Sequence, residues 1–207
     1  MARKPGARKA GKSESASPKD PIGAALKLAA ERGWQRISLA DIAEAAGMPL
    51  AELHGRYPSK QAILEAFSRD VDRQVVAGAA ADAAGESARD RLFDVIMRRF
   101  DALSPHRDGV AAIYRSMGTD PLAALCGAGQ VLRSMALMLE TAGVSSSGLV
   151  GAVRAKGLAA IYLATIRDWL RDDTADMART MAALDARLRR AEQFIDAMPG
   201  RRGARNH

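Results

Sequence analysis

Between Asp20 and Pro199 the apolar residues recur every three or four positions, and no stretch alternates with the period of two that a half-buried strand needs. That periodicity confines the chain to a bundle of helices. Composition agrees: of 207 residues, 48% are hydrophobic but only 4% aromatic. Ala and Leu therefore fill most apolar positions, and both are strong helix formers. Clusters of Gly, Pro, Ser and Asp divide the pattern into nine predicted helices, at about 20–33, 38–46, 49–57, 60–83, 87–103, 106–117, 121–141, 148–171 and 174–197. No internal repeat is present.

The first breaks are chemically specific. Asp20 is placed to cap the first helix, and Pro21 suits its first turn. Gly33 stops that helix. Ser38 with Asp41 three residues on has the form of a capping box for the second. Gly47 permits the left-handed geometry of a sharp turn. Pro49 and Leu50 then open a short third helix with Leu53 buried, which closes at Tyr57-Pro58, where the residue before proline disfavours helix. Ser59 caps the long fourth helix, with Ile63, Leu64, Phe67, Val71 and Val75 along its apolar stripe. Near the other end of the chain, Asp172-Asp173 reads as a helix stop and Thr174 as the cap of the last helix.

The net charge of +7 is unevenly placed. Residues 1–20 carry +4 and residues 200–207 carry +3, while 21–199 balance to zero. A basic arm ahead of a helix-turn-helix suits phosphate or minor-groove contact; a solvated, solubilising tail is the equal alternative. Cys126 is the only cysteine, so no internal disulfide forms, and in an apolar helix it reads as core filler ahead of redox sensor. No run of about 18 apolar residues is present to span a membrane, and the N-terminus lacks the apolar centre of a secretory signal. These features predict a cytoplasmic protein with no membrane partner.

Residues 21–67 resemble the TetR family of transcriptional regulators. The resemblance is carried by "ERGWQRISLADIAEAAGMPLAELHGRYPSKQAILEAF": a Gly after the first helix, a capped second helix ending in "AAG", a short reader and then aromatic-Pro-Ser-Lys. It implies an all-α fold in which a three-helix helix-turn-helix domain is joined by a long helix to a helical bundle for ligand binding and dimerisation. The implied organisation is a basic arm over 1–20, the DNA-binding domain over 21–67, the ligand-binding and dimerisation domain over 68–199, and a basic tail over 200–207. It further implies that Leu50, Glu52, His54, Gly55 and Arg56 lie at or near the major groove. By the same match Ser38 meets a phosphate, Tyr57 presses the DNA backbone, and Lys60 pairs with a phosphate at the N-terminus of the fourth helix. The implied partner is double-stranded DNA bearing a palindromic operator, and the implied protein a repressor that needs no cofactor.

The second half resembles a narrower group. "RDRLFDVIMRRFDALSPHRDGVAAIYR" and "AIYLATIRDWLRDDTADMARTMAALDARLRRAEQF" are similar to the coenzyme-Q-biosynthesis lipid-binding family, which shares the TetR-like fold and binds isoprenoid lipids. This resemblance implies an alternative, a lipid-binding accessory protein of quinone biosynthesis with a vestigial helix-turn-helix. The group characteristically ends in an amphipathic membrane helix, whereas "MPGRRGARNH" is too short and polar to be one.

Residues 106–171 are rich in flexible and small apolar side chains. Ile113, Met117, Leu122, Leu125, Leu132, Met135, Leu139, Leu158, Ile161, Tyr162 and Trp169 are the expected lining of a pocket for a small hydrophobic effector; an ordinary packed core is the other reading. The last two helices are expected to pair with their copies in a homodimer through Val153, Ile161, Leu170, Met177, Met181, Leu184, Leu188 and Phe194. The three histidines are scattered, and no metal, nucleophile or phosphate-loop motif is present, so no enzymatic activity is expected.

Overall fold

A computed structural model describes residues 20–79, 85–118 and 121–197; the side chains of 121–126 and 196 are not described. The predicted basic arm up to residue 19, the basic tail and the side chain of Cys126 lie outside that set, as do those of Leu122 and Leu125. The described residues form helices and no strands. The order is α1 (Pro21–Arg32), a 3-10 turn (Trp34–Arg36), α2 (Leu39–Ala45), α3 (Leu50–Arg56), α4 (Lys60–Gly78), α5 (Ala88–Leu103), a second 3-10 turn (Ser104–His106), α6 (Arg107–Met117), α7 (Pro121–Thr141), α8 (Gly148–Trp169) and α9 (Ala178–Ala197).

Two apolar cores organise these helices. The first holds Leu26, Trp34, Ile37, Ile42, Leu53, Tyr57 and Ile63, all buried, and takes in Ala112 and Ile113 from α6. The second gathers Val71, Val75, Ile96, Phe100, Met135, Met138, Leu158, Tyr162, Trp169 and Leu184 from α4, α5, α7, α8 and α9. Helix α4 runs unbroken through both, and Phe67 packs against each core. The ring of His106 meets Phe67 edge-on at 5.5 Å, which braces the same joint.

α6 packs mainly against α1, and it corrects an expectation. Ile113 is buried in the first core beside α1 and not among the second-core residues; Met117 also packs against the first core, while its Cε reaches toward Gly127 of α7. The α1–α6 crossing needs a glycine: a Cβ on Gly109 would stand 2.6 Å from the carbonyl oxygen of Leu26. The other expected pocket residues sit together. Met135, Leu139, Leu158, Tyr162 and Trp169 are buried in the second core, with Leu132 and Ile161 packed against them. Phe100 stacks on Tyr162 at 5.5 Å and tilts against Trp169 at 5.6 Å.

A buried ion pair crosses that second core. Asp72 of α4 accepts from Arg99 of α5 and from the Ser134 hydroxyl of α7, 2.6 Å away. The Arg99 guanidinium also lies over the Tyr162 ring of α8 at 5.4 Å. A buried charge pair contributes little net stability, but removing one partner strands the other. Through Asp72, Arg99, Ser134 and Tyr162 it joins α4, α5, α7 and α8.

α8 is long and apolar enough by length and composition to cross a membrane, with a mean hydropathy of 1.5 over its most apolar window. It carries Arg154, Lys156 and Arg167, and buries Leu158, Tyr162, Ile166 and Trp169 against the protein. The start of α9 differs from the expectation. The helix opens at Ala178, because the Asp172 carboxylate folds residues 172–177 into a turn. One oxygen accepts from the Thr174 amide and hydroxyl, at 3.2 and 2.6 Å, and the other from those of Thr180, both at 2.7 Å. Of the expected dimer residues, Leu184 and Leu188 are buried in the chain's own core, while Val153 and Phe194 are exposed.

Candidate nucleic-acid interface

The geometry of α2 and α3 follows from local chemistry. The Ser38 hydroxyl accepts from the Asp41 amide at 3.1 Å, and Asp41 accepts from the Ser38 amide at 2.7 Å, which completes the capping box. The same hydroxyl donates to the Asp41 carboxylate at 2.6 Å. Those hydrogen bonds, with help from the charges of Arg32 and Lys60, hold the Asp41 carboxyl below the usual carboxylate range. Ser38 is exposed at the helix start as expected, but its hydroxyl proton is committed to Asp41, with which a phosphate would compete.

Gly47, at φ +63°, makes the turn into α3. Leu53, with no exposed surface, pins α3 onto the domain, and Met48 packs below the turn. Everything else on α3 faces outward: Leu50, Ala51, Glu52, His54, Gly55 and Arg56 are exposed, with Leu50 at 47%. An apolar side chain and a glycine beside His and Arg make a surface that can meet a thymine methyl, a guanine edge and a phosphate. The structure thus leaves all five expected base-facing residues exposed around α3.

Two expected backbone-contacting residues are placed differently. Tyr57 is only 7% exposed, and its ring belongs to the first core; the Arg56 guanidinium lies over it at 5.3 Å. Tyr57 therefore positions Arg56 and does not itself press outward. Lys60 also turns inward. Its ammonium donates to the carbonyl oxygens of Trp34 at 2.8 Å and Ile37 at 2.7 Å, and sits 5.0 Å from the Trp34 ring centre. Burial lowers its pKa, opposed by Asp41. The reason is geometric: the 3-10 turn at Trp34–Arg36 leaves carbonyls that no helix satisfies, and Lys60 at the start of α4 reaches them. Sequence reading missed this clamp because it joins residues 26 and 23 positions apart.

Elsewhere, among the described residues, no three His, Cys, Asp or Glu side chains converge as a metal site would require.

Residues 22–67 match the family described as bacterial regulatory proteins, tetR family. Among solved structures, a TetR transcriptional regulator from Nitrosomonas europaea ATCC 19718 is similar, with a TM-score of 0.68 and 24% identity over 84% of this chain and 96% of that one. A TetR regulator from Rhodococcus sp. RHA1 gives 0.57 and 23%, covering 81% of this chain and 93% of its own. One from Streptomyces coelicolor gives 0.57 and 21%, covering 89% and 86%. No curated protein matches the chain. The protein therefore has a tetR-type DNA-binding domain at its N-terminus and shares the fold of TetR regulators along most of its length.

Proposed function

We propose that this protein is a homodimeric DNA-binding transcriptional regulator, a repressor, whose operator affinity is controlled by a small hydrophobic effector. The observation that carries the proposal is α3, exposed at every side chain but Leu53, within a domain of the tetR type. Its surface can enter a major groove without displacing any core side chain. The same reading places Leu50, Glu52, His54, Gly55 and Arg56 at the bases, with the capped N-terminus of α2 near a phosphate.

The second core is the place for an effector. It joins α4, which carries the reading domain, to the other bundle helices through Arg99, Tyr162 and Trp169. A ligand that entered between Met135, Leu158 and Tyr162 would have to reposition α4 or α7, so effector and DNA would be coupled through differential affinity for two arrangements. Dimerisation falls to the outer faces of α8 and α9, where Leu149, Val150, Val153, Leu163, Phe194 and Ile195 are exposed. A two-fold pair would present two copies of α3 to half-sites one or more duplex turns apart.

The test is binding to DNA upstream of the protein's own gene, followed by fluorescence anisotropy at several salt concentrations. A sequence-specific complex is expected, and Arg56→Ala should weaken it by about 1–3 kcal/mol. Binding equal to that of unrelated duplex, or unchanged in Arg56→Ala, would refute the reading. The alternative of a lipid-binding accessory protein has no comparable observation in its favour.

A further inference from the structure

A recess of about 340 Å³ opens between the end of α1, the Trp34–Arg36 turn and the outer part of α6. Three arginines line it, Arg32 and Arg36 from the reading domain and Arg115 from α6, together with Gln35 and Ser116, and no carboxylate among the described residues does. Ala29 and Ala112, both buried, form the floor. Among the described residues, Arg36 and Arg115 have no side-chain hydrogen bond or ion pair. Arg32 has only a long pair with Asp41, at 3.8 Å, with its side chain 58% exposed.

This clustering is not a by-product of general basicity, because residues 21–70 carry six basic and six acidic side chains. Three like charges around one concavity repel one another, and a partner with several acceptor oxygens would reverse that penalty. The walls are also fixed in relation to each other, since Gly109 and Leu26 bring α6 and α1 into backbone contact one helical stretch away. A volume of this size matches a small metabolite.

We infer that the recess is a binding site for a small, multiply charged anion of the phosphate-ester or polyphosphate class. A bound anion ties the end of α1 to α6, and so ties the reading domain to the distal bundle, at a place separate from the apolar second core.

The experiment is calorimetric titration of inorganic pyrophosphate into the full chain at low salt, with the protein's tryptophan fluorescence, to which Trp34 in the recess lining contributes alongside Trp169, as a second readout. The expected result is saturable binding of one pyrophosphate per chain. Arg115→Ala and Arg36→Ala should each weaken it about tenfold, as loss of one charge-assisted contact does. Arg115→Lys, which keeps the charge but loses the planar fork, should fall between. A control with Arg201, Arg202 and Arg205 replaced by Gln should bind like the unmodified protein. Unsaturable binding, binding indifferent to Arg115→Ala, or binding lost in the tail control would overturn the inference. So would a duplex affinity that drops in Arg115→Ala without any pyrophosphate binding, since the recess would then serve the DNA backbone.

Discussion

At Lys60 one ammonium satisfies two carbonyls of a turn that no helix serves, and this determines what its removal does. Lys60→Met keeps the stem against Trp34 but leaves both oxygens without their donor, so a loss of about 1–3 kcal/mol is expected in chemical denaturation. A phosphate ligand would behave otherwise: its loss would lower the slope of log affinity against log salt by about one. The slope is expected to stay the same in Lys60→Met. Gly55 offers the opposite separation. A Cβ there would meet nothing within 4 Å, and the residue lies inside α3. Gly55→Ala should therefore stabilise the fold by about 0.5–1 kcal/mol, yet reduce operator affinity, because the added methyl points toward the groove. A stabler protein with undiminished affinity would remove Gly55 from the interface. Ser38, Asp41 and Gly47 could be read from the sequence since their roles involve partners three or four residues away. Tyr57 and Lys60 could not, because a buried ring and an inward ammonium depend on where distant carbonyls and core residues come to lie.

Among the elements, the corner between α8 and α9 shows how one carboxylate can displace a predicted helix start. Asp172 is 1% exposed and takes four hydrogen bonds from Thr174 and Thr180. Arg107 of α6 ties the same corner down by donating to the carbonyl oxygens of Trp169 and Asp172, each at 2.5 Å. Burial pushes the Asp172 pKa up, but the hydrogen bonds of Thr174 and Thr180 together outweigh it and hold the group well below the usual carboxylate range. A carboxylate depressed in the folded state contributes stability above its unfolded pKa, about 3.9, and loses it as pH falls toward the folded value. Thermal melts of the protein and of Asp172→Asn should therefore differ most at neutral pH, by about 1–3 kcal/mol, and converge below about pH 4. A gap that stays constant down to pH 3 would mean the charge plays no part. Thr174 does take part in starting α9, since its hydroxyl accepts from the Ala178 amide at 3.0 Å. The helix does not begin at once after Thr174, because Asp172 competes for the amides of Thr174 and Thr180.

For the molecule as a whole, periodicity was enough to establish an all-helical chain and the sequence of its elements, but it could not distribute apolar side chains between two cores. Ile113 and Met117 have the spacing of any buried stripe; only the α1–α6 crossing assigns them to the reading domain. The same ambiguity affected the dimer face, where Leu184 and Leu188 are buried in the chain's own core while Phe194 on the same helix is exposed. What remains exposed is informative. Leu149 is 84% exposed, Val150 and Val153 63% each, and Phe194 67%. Leu149, Val153, Ala160 and Leu163 recur at helical spacing on the outer side of α8, in a row that also holds Lys156 and ends at Arg167. Exposed apolar side chains grouped at Leu149, Val150 and Val153 are costly in water and are relieved when two copies join. Val153→Glu would place a charge in such an interface without touching either core. The unmodified chain is expected to run as a dimer in light scattering and the variant as a monomer with the same helical circular dichroism. Operator affinity should then drop as well, because two half-sites bound by separate chains lose the advantage of a linked second contact. A variant that stays dimeric would move the interface off this stripe.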